Sequence, residues 1–581
     1  MKLARNEYPR PQFRRDEWMS LNGEWEFSFD DNDEGKIKGW QSGKIALKDK
    51  ILVPFAYQCA ESGIGDETQH DIVWYRRKFT CDTDKHALLC FNASDYITDV
   101  WINGVHVIQH EGGYAPFKAD ITKYVTTGEN VIVVRCDDDL DESVPRGKQS
   151  YNKDGSRFLC WYIPTTGIWQ SVWIEYCGED YIDEYSIVPN ADDGCVCGEI
   201  RTAYDYADEI GLKVWFNGNE VAKGKFGIYS KKATYSLSLL EHKTLEKLAY
   251  WYPHNPKLYH IEFVLYKNGE VVDKAYSRFG LRKISVENGQ IYLNNRPLYQ
   301  KLILDQGYWK GSGLTPPSVE ALRKDIELCK AMGFNGARKH QKLEDPYWYY
   351  LADEMGFLTW CEMPSAYGFC DREVRVVSKE WQEIVCTAKN FTSVIAYAPM
   401  NESWGIRGVL TDKKQQDFAK ALYYLTYAID GTRLISTNDG WENVCPTDMV
   451  TIHDYAYDSS NFERYKNLDK YDTLNPAGKM LFAKGSRYEG QPILFSEFGG
   501  VMMRQKSDDG SWGYGKNADD KEEFYQRIDN LVKGIYTCPF QGYCYTQVSD
   551  VQQEKNGLLD ENHEPKFSIE RLAEIFGRDG K

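Results

Sequence analysis

The stretch Ser318–His340 reads SVEALRKDIELCKAMGFNGARKH. Val319, Leu322, Ile326, Leu328 and Cys329 recur at helical spacing, and Gly333 stops the run. Phe334–Ala337 then reads as a short strand, which ends on Arg338, Lys339 and His340. A helix feeding a short apolar strand is the building unit of an α/β fold. The unit recurs downstream. A helix lies around Pro346–Met355, followed by the strand Phe357–Cys361. Further strands read at Val394–Ala398, Arg433–Ser436, Met449–Ile452, Ile493–Phe495 and Gly542–Tyr545. Alternation of this kind over about 290 residues predicts a (β/α)8 TIM barrel, placed at residues 283–581.

Upstream the texture differs. Residues 1–178 alternate apolar and polar residues in short runs broken by Gly, Asn and Asp. Gly23–Phe29, Val73–Phe79, Asp99–Ile102, Val131–Val134 and Val172–Glu175 are such runs, and Asn103-Gly104 is a two-residue hairpin signal. The expectation is a jelly-roll β-sandwich. Residues 179–282 hold strands near Tyr185–Val188, Leu212–Phe216, Thr234–Leu239 and Ile261–Lys267, with turns at Asn217-Gly218 and Asn268-Gly269. That is the size and pattern of an immunoglobulin-like β-sandwich. Neither an internal repeat nor a low-complexity linker interrupts the chain.

Composition narrows the function classes. The chain has 581 residues, 42% hydrophobic and 27% charged, which suits several cores and excludes wholesale disorder. No run of about 18 apolar residues predicts a membrane helix. The net charge of −17, from 70 basic and 87 acidic residues, argues against a general affinity for nucleic acid. The 15 cysteines include no CxxC pair; Cys195-Val196-Cys197 is the nearest approach. Met1–Glu7 shows no apolar leader segment. Together these predict reduced thiols in a cytoplasm, with no zinc site and no cofactor. The 17 Trp, 41 Tyr and 25 Phe are good β-formers and core fillers, and also surfaces on which sugar rings stack.

In a barrel, the C-terminal ends of the strands face the substrate cleft. Glu402 follows the strand Val394–Ala398, and Glu497 follows Ile493–Phe495. They lie 497 − 402 = 95 residues apart, about three strands. Two carboxylates facing one cleft suit glycoside hydrolysis, one as proton donor and one as attacking group. A lone glutamate at a strand end equally caps a helix or pairs with an arginine, so the neighbours matter. Asn401 could hydrogen-bond a sugar hydroxyl. Arg338 and His340 end one strand, and His453 and Tyr455 another. A buried arginine beside a carboxylate holds it ionised. Trp404, Trp512 and Tyr545 could line a sugar subsite, although aromatic residues at strand ends are often plain packing. No GxSxG elbow is present. Gly513–Ala518 fits a loose dinucleotide pattern, but it follows no strand and opens no helix.

These residues bring a family into view. Asn401-Glu402-Ser403-Trp404 resembles the acid/base motif of glycoside hydrolase family 2, and Ser496-Glu497-Phe498-Gly499-Gly500 its nucleophile motif. Five further matches occur in order: Leu21–Trp25, Trp74–Arg77, Ile102–Gly104, Gly112–Phe117 and Thr166–Gln170. The resemblance covers nearly the whole chain and implies the same jelly-roll, immunoglobulin-like and barrel order. It also implies a retaining mechanism through a covalent glycosyl-enzyme, with carboxyl groups about 5–5.5 Å apart. By resemblance, Glu402 is the general acid/base and holds its proton near neutral pH, and Glu497 is the nucleophile. Asn401 is then the ligand of the 2-hydroxyl, Tyr455 bonds the nucleophile, and Arg338 stands beside it.

The departures concern the sugar. Arg338-Lys339-His340 is one residue shorter than the family's Arg-x-Ser-His. Trp161 occupies the place of an aspartate that reaches the terminal sugar. Tyr545 stands where a tryptophan often ends the last strand. Gln553–Gly557 does not fit the Asn-x-Lys signature that reads a glucuronate carboxylate, which argues against a glucuronidase. The expectation is an exo-acting β-glycosidase on an oligosaccharide or small glycoside, a β-galactosidase first. Another terminal sugar is the alternative: galactofuranose, arabinofuranose, arabinopyranose, glucose or xylose. An inactive carbohydrate-binding protein is the alternative of another class. The resemblance also implies a homo-oligomer.

Overall fold

The structure, a computed structural model, describes residues 4–240, 248–505 and 510–578. Near the N-terminus, two antiparallel sheets face each other. One runs in the order Asp49–Val53, Gly23–Phe29, Ile72–Thr80, Glu129–Asp137, Ile97–Ile102, Val105–Glu111. The other runs Trp18–Ser20, Val172–Cys177, His86–Phe91, Phe117–Asp120. Alternate residues point inward, so Trp25, Phe27, Val73, Tyr75 and Val134 of the first sheet meet Leu89, Phe91 and Ile174 of the second. The hairpin Ile97–Glu111 turns at Asn103 (φ 52°) and Gly104 (φ 82°), the two left-handed residues that the Asn-Gly signal requires. A second pair of antiparallel sheets, between Ile182 and Phe279, buries Val196, Ile200, Tyr235 and Leu237 against Ile210, Leu212, Ile261 and Phe263. Cys59, Cys90, Cys136, Cys329, Cys361 and Cys544 are buried thiols.

The remaining core is a parallel eight-stranded barrel. Its strands are β1 (Gln300–Asp305), β2 (Gly336–Lys339), β3 (Leu358–Glu362), β4 (Val394–Ala398), β5 (Leu434–Ile435), β6 (Val450–His453), β7 (Ile493–Gly499) and β8 (Gly542–Thr546). The helices α1 (Val319–Ala331), α2 (Pro346–Met355), α3 (Asp371–Ala388), α4 (Lys413–Ile429), α5 (Lys521–Tyr536) and α6 (Ile569–Phe576) pack outside. Ser318 caps α1 by accepting from Ala321 N–H, and Asp345 caps α2 ahead of Pro346. β1 has no helix before it: a small sheet formed by Ile284–Glu287, Gln290–Leu293 and Arg296–Pro297 precedes it instead. That is why helix–strand alternation does not single it out. Between β5 and β6, closure rests on Asp448 N–H donating to Ile435 O (2.9 Å) and on the Ser436–Thr451 hydroxyl pair (3.2 Å).

The barrel floor is filled by Leu302, Leu358, Trp360, Leu434 and Leu494, and plugged from below by Trp251, Ile291 and Leu293. The opposite, C-terminal end is left for polar side chains. Over it runs a segment from the first sandwich, anchored by Arg146 N–H and Gly147 N–H on Ser365 O (3.0 Å each). Among the described residues, no helix is long and apolar enough to cross a membrane.

Candidate active site

Seven strand ends meet around Arg338 of β2, whose side chain is fully buried. Its guanidinium bonds Glu362 at the end of β3 (2.6 Å) and Asp439 after β5 (2.8 Å). It also reaches Glu497 of β7 and Asn401 after β4, both at 3.3 Å, and the Ser496 carbonyl. Buried charges persist only when paired and hydrogen-bonded, and each of these carboxylates has further partners. Glu362 accepts from His340 Nδ1 (2.9 Å). Asp439 faces His453 Nε2 (2.8 Å). Glu497 accepts from the Tyr455 hydroxyl at 2.5 Å, and that hydroxyl in turn lies 3.1 Å from Thr546 at the end of β8.

Glu402 completes the cluster. Its backbone is left-handed (φ 53°), as is that of Ser403 (φ 59°), a strained pair at a turn. Glu402 N–H donates to Asp439 O (2.9 Å) and Ser403 N–H to the Asn438 side chain (3.1 Å), which holds the turn in place. The carboxylate meets His453 Nδ1 at 2.8 Å. One ligand atom each from Glu402, His453 and Glu497 lie within 4.8 Å of one another. Such a trio could hold a metal ion. Here the imidazole already spends both nitrogens, Nδ1 on Glu402 and Nε2 on Asp439, so beyond the one N–H of a neutral ring a second proton is shared between His453 and Glu402.

The electrostatics of that link differ from the expectation for Glu402. Burial works against charge on His453, but Glu497, Asp439 and Glu402 push its pKa up to about 10. Burial likewise works against charge on Glu402, but the hydrogen bond and charge of His453, aided by Lys148 and His340, hold it down at about 2. The shared proton therefore sits on the imidazole at neutral pH. Glu402 does not hold it alone, because a three-dimensional neighbour supplies a better base. By linkage, the Glu402 contribution to stability is present above its ordinary 4.5 and lost as the pH falls through about 2; that of His453 is present below 6.5 and lost as the pH rises through about 10.

Of the other residues singled out in the sequence, Asn401 is buried beside the pair, and its Nδ2 has no partner among the described residues. Trp404 Nε1 lies 3.4 Å from Glu402, and its ring packs edge-on against Trp161 (5.4 Å between centroids). Trp161 comes from the first sandwich and donates to the Tyr367 hydroxyl (2.9 Å). Trp512 sits on the rim, donating to Leu159 O (2.7 Å), 5.1 Å from Tyr514. Tyr514 stacks flat on Tyr455 at 3.5 Å; a side chain at Gly500 (φ 60°) would strike it. Tyr545 is not brought to the site. Strand alternation sends Cys544 into the barrel, while Tyr545 packs among Phe498 and Phe576 in the helix-facing shell. Thr546 takes the site-facing position.

Sequence reading did not find Glu362, Asp439, Tyr514, Lys148 or Glu554. Glu362 carries a signal, a carboxylate ending an apolar strand, one residue beyond the run Phe357–Cys361. The others stand in loops without periodicity.

With the geometry in place, the family comparisons agree with it. The sugar-binding domain of glycosyl hydrolases family 2 matches residues 18–172, the family's middle domain 181–282, and its TIM barrel domain 284–576. The chain belongs to glycoside hydrolase family 2. Among its relatives, a β-galactosidase of Thermoanaerobacter pseudethanolicus is 24% identical over 448 residues, covering 72% of this chain and 56% of that one. A putative β-glucuronidase of Formosa agariphila is 26% identical over 422 residues, covering 69% of this chain and 49% of that one. The chain thus spans about half the length of these two relatives. The β-glucuronidase of Mus musculus is 23% identical over 528 residues, with 83% and 78% covered. A solved β-glucuronidase from Ruminococcus gnavus, in complex with D-glucuronic acid, superposes with a TM-score of 0.77 at 20% identity, over 99% of this chain and 100% of that one. At that identity the likeness is one of fold.

Proposed function

We propose that this family 2 chain is a glycoside hydrolase, a retaining exo-β-glycosidase that removes a terminal sugar through a covalent glycosyl-enzyme. The observation that carries the reading is the approach of Glu402 and Glu497 to within 4.8 Å across the barrel mouth. Retaining pairs stand about 5–5.5 Å apart, whereas inverting pairs need about 6.5–9.5 Å to admit a water. Glu497, braced by Tyr455 and Arg338, attacks the anomeric carbon as the bond to the leaving oxygen breaks. Glu402 delivers a proton to that oxygen, drawn from the His453 pair. Glu402 then takes a proton from water, whose oxygen attacks the same carbon and frees Glu497. Asn401 Nδ2 is a free donor for a sugar hydroxyl beside the reaction. Cysteines carried as thiols, such as buried Cys59, Cys90 and Cys136, fit a reducing compartment, and the cytoplasm is the location proposed.

β-Galactoside is the first substrate proposed. The Thermoanaerobacter pseudethanolicus relative carries that name, and Glu554-Lys555-Asn556 does not fit the Asn-x-Lys pattern of glucuronate readers. Another neutral terminal sugar, pyranose or furanose, is the second reading, because Trp161 replaces a sugar-contacting aspartate. The test is a panel of para-nitrophenyl glycosides (β-galactopyranoside, β-glucuronide, β-mannoside, β-glucoside, β-xyloside, α-arabinopyranoside and the furanosides) with wild type and Glu402→Ala. Turnover of a neutral glycoside that drops about 100-fold or more in the variant supports the reading. An unchanged rate contradicts it.

The His453 pair has its own test. Wild type keeps the shared proton until the pH climbs through about 10. In His453→Gln the Glu402 carboxyl stands alone and loses its proton at lower pH. The basic limb of the kcat/KM profile is expected to move down by more than about one pH unit. An unmoved limb would mean that His453 takes no part in holding the proton.

A further inference from the structure

Lys148 is an ammonium with 7% of its surface exposed, carried by the first sandwich to the mouth of the barrel. Among the described residues its Nζ has one hydrogen-bond partner, Cys160 Sγ at 3.4 Å. A lysine ammonium has three donors, so two are unspent. Its carbonyl accepts from Tyr162 N–H (2.8 Å), and the Tyr162 hydroxyl donates at 2.5 Å to Glu554, a buried carboxylate in the loop after β8. Glu554 also accepts from Asn556 Nδ2 (2.9 Å), which leaves it lone pairs to offer. The two loops are stitched together by Gln553 Nε2 on the Leu159 and Trp161 carbonyls (2.7 and 2.9 Å) and by Ile163 N–H on Gln552 (3.0 Å). Lys148 Nζ lies 5.9 Å from the centre of the Trp161 ring, which packs on Trp404 beside Glu402, and the charge of Lys148 favours the ionised form of Glu554. An unspent donor and an unspent acceptor therefore stand at fixed positions on loops from two separate parts of the chain, joined through Trp161 and Trp404 to Glu402.

We infer that Lys148 and Glu554 form a donor–acceptor pair that reads adjacent hydroxyls of a neutral terminal sugar. Lys148 donates to one sugar oxygen, and Glu554 accepts from the neighbouring hydroxyl. The pair sums to zero charge, so a hydroxylated ring leaves it balanced. A uronate carboxylate would add an uncompensated anion beside Glu554, Glu402 and Glu497. The inference rests on the glycosidase reading above and names the substrate class of that site.

The experiment crosses enzyme variants with deoxygenated substrates. Wild type, Lys148→Met and Glu554→Gln are assayed on the best neutral glycoside of the panel and on its monodeoxy analogues. Wild type is expected to lose about 10–100-fold in kcat/KM when the read hydroxyl is removed, as for a hydrogen bond to a charged group. Lys148→Met is expected to lose a similar factor on the parent sugar and little more on that analogue. Glu554→Gln should do the same at the adjacent position, and it serves alone if Lys148→Met does not fold. A merely structural role would lower every substrate equally and keep the parent-to-deoxy ratio; that outcome overturns the inference, as does a β-glucuronide as the best substrate. Binding of glucono-1,5-lactone and galactono-1,4-lactone, measured by calorimetry, separates the two levels. Lactone binding that weakens in Lys148→Met, in a wild type that hydrolyses nothing, would retain the pocket and reject the glycosidase reading. No binding and no hydrolysis would reject both.

Discussion

Replacing Glu497 by alanine is expected to leave a folded protein whose hydrolysis is lower by about 10⁴-fold or more. Glu497 is the only carboxylate of the cluster that accepts from both Arg338 and Tyr455. Those contacts, Arg338 on Oε1 and Tyr455 on Oε2, hold the carboxylate in a fixed position for attack. Without it the covalent route is gone, and no neighbour can substitute: Asp439 and Glu362 are tied to Arg338 in the fully buried layer beneath. The fold should survive, because Arg338 keeps two of its three carboxylate partners. Thermal unfolding close to that of wild type, with hydrolysis absent, is the expected pair of results. Residual turnover within tenfold of wild type would assign the attack elsewhere.

Arg338→Met should damage the fold as well as the reaction. The guanidinium is the buried cation common to Glu362, Asp439 and Glu497. Removing one partner of a buried ion pair costs about 3–5 kcal/mol, because the remaining charge is left uncompensated. Three carboxylates would be left facing His453 and one another, and they would take up protons instead. A carboxyl whose folded pKa is raised contributes stability below its unfolded pKa and loses it as the pH rises through the folded value. The variant should therefore unfold at a lower temperature than wild type, and the gap should widen from pH 5 to pH 8. Equal unfolding temperatures across that range would show that the cluster does not depend on the guanidinium.

The sequence carried the fold where periodicity was strong. The helix Ser318–Met332 appears as α1, with Ser318 and Met332 as its caps, and the strands that lead to Glu402 and Glu497 fall where the apolar runs put them. The Asn-Gly turns were legible because only residues tolerant of positive φ fit there. What failed was orientation and whatever depends on meetings in space. Tyr545 sits on a correctly read strand, but on the face turned to the helices; short buried strands such as Gly542–Thr546 are apolar on both faces, so alternation gives no parity. The proton state expected of Glu402 changed because His453, 51 residues away in sequence, lies 2.8 Å away in space. Lys148 and Glu554 stand in irregular loops that meet only when the first sandwich closes over the barrel. The meeting of Glu402 and Glu497 was legible from strand ends, whereas the pocket that would choose the sugar was not.

The measurement that bears most directly on the central claim is the anomeric configuration of the first sugar released, followed by proton NMR from mixing. The substrate is the first neutral glycoside that wild type hydrolyses. Attack by Glu497 and then by water inverts the anomeric carbon twice, so the first-formed sugar is predicted to keep the configuration of the substrate, with the other anomer growing in later by mutarotation. A first product of inverted configuration would contradict the account: water would then be the direct nucleophile, and Glu497 would have no covalent role.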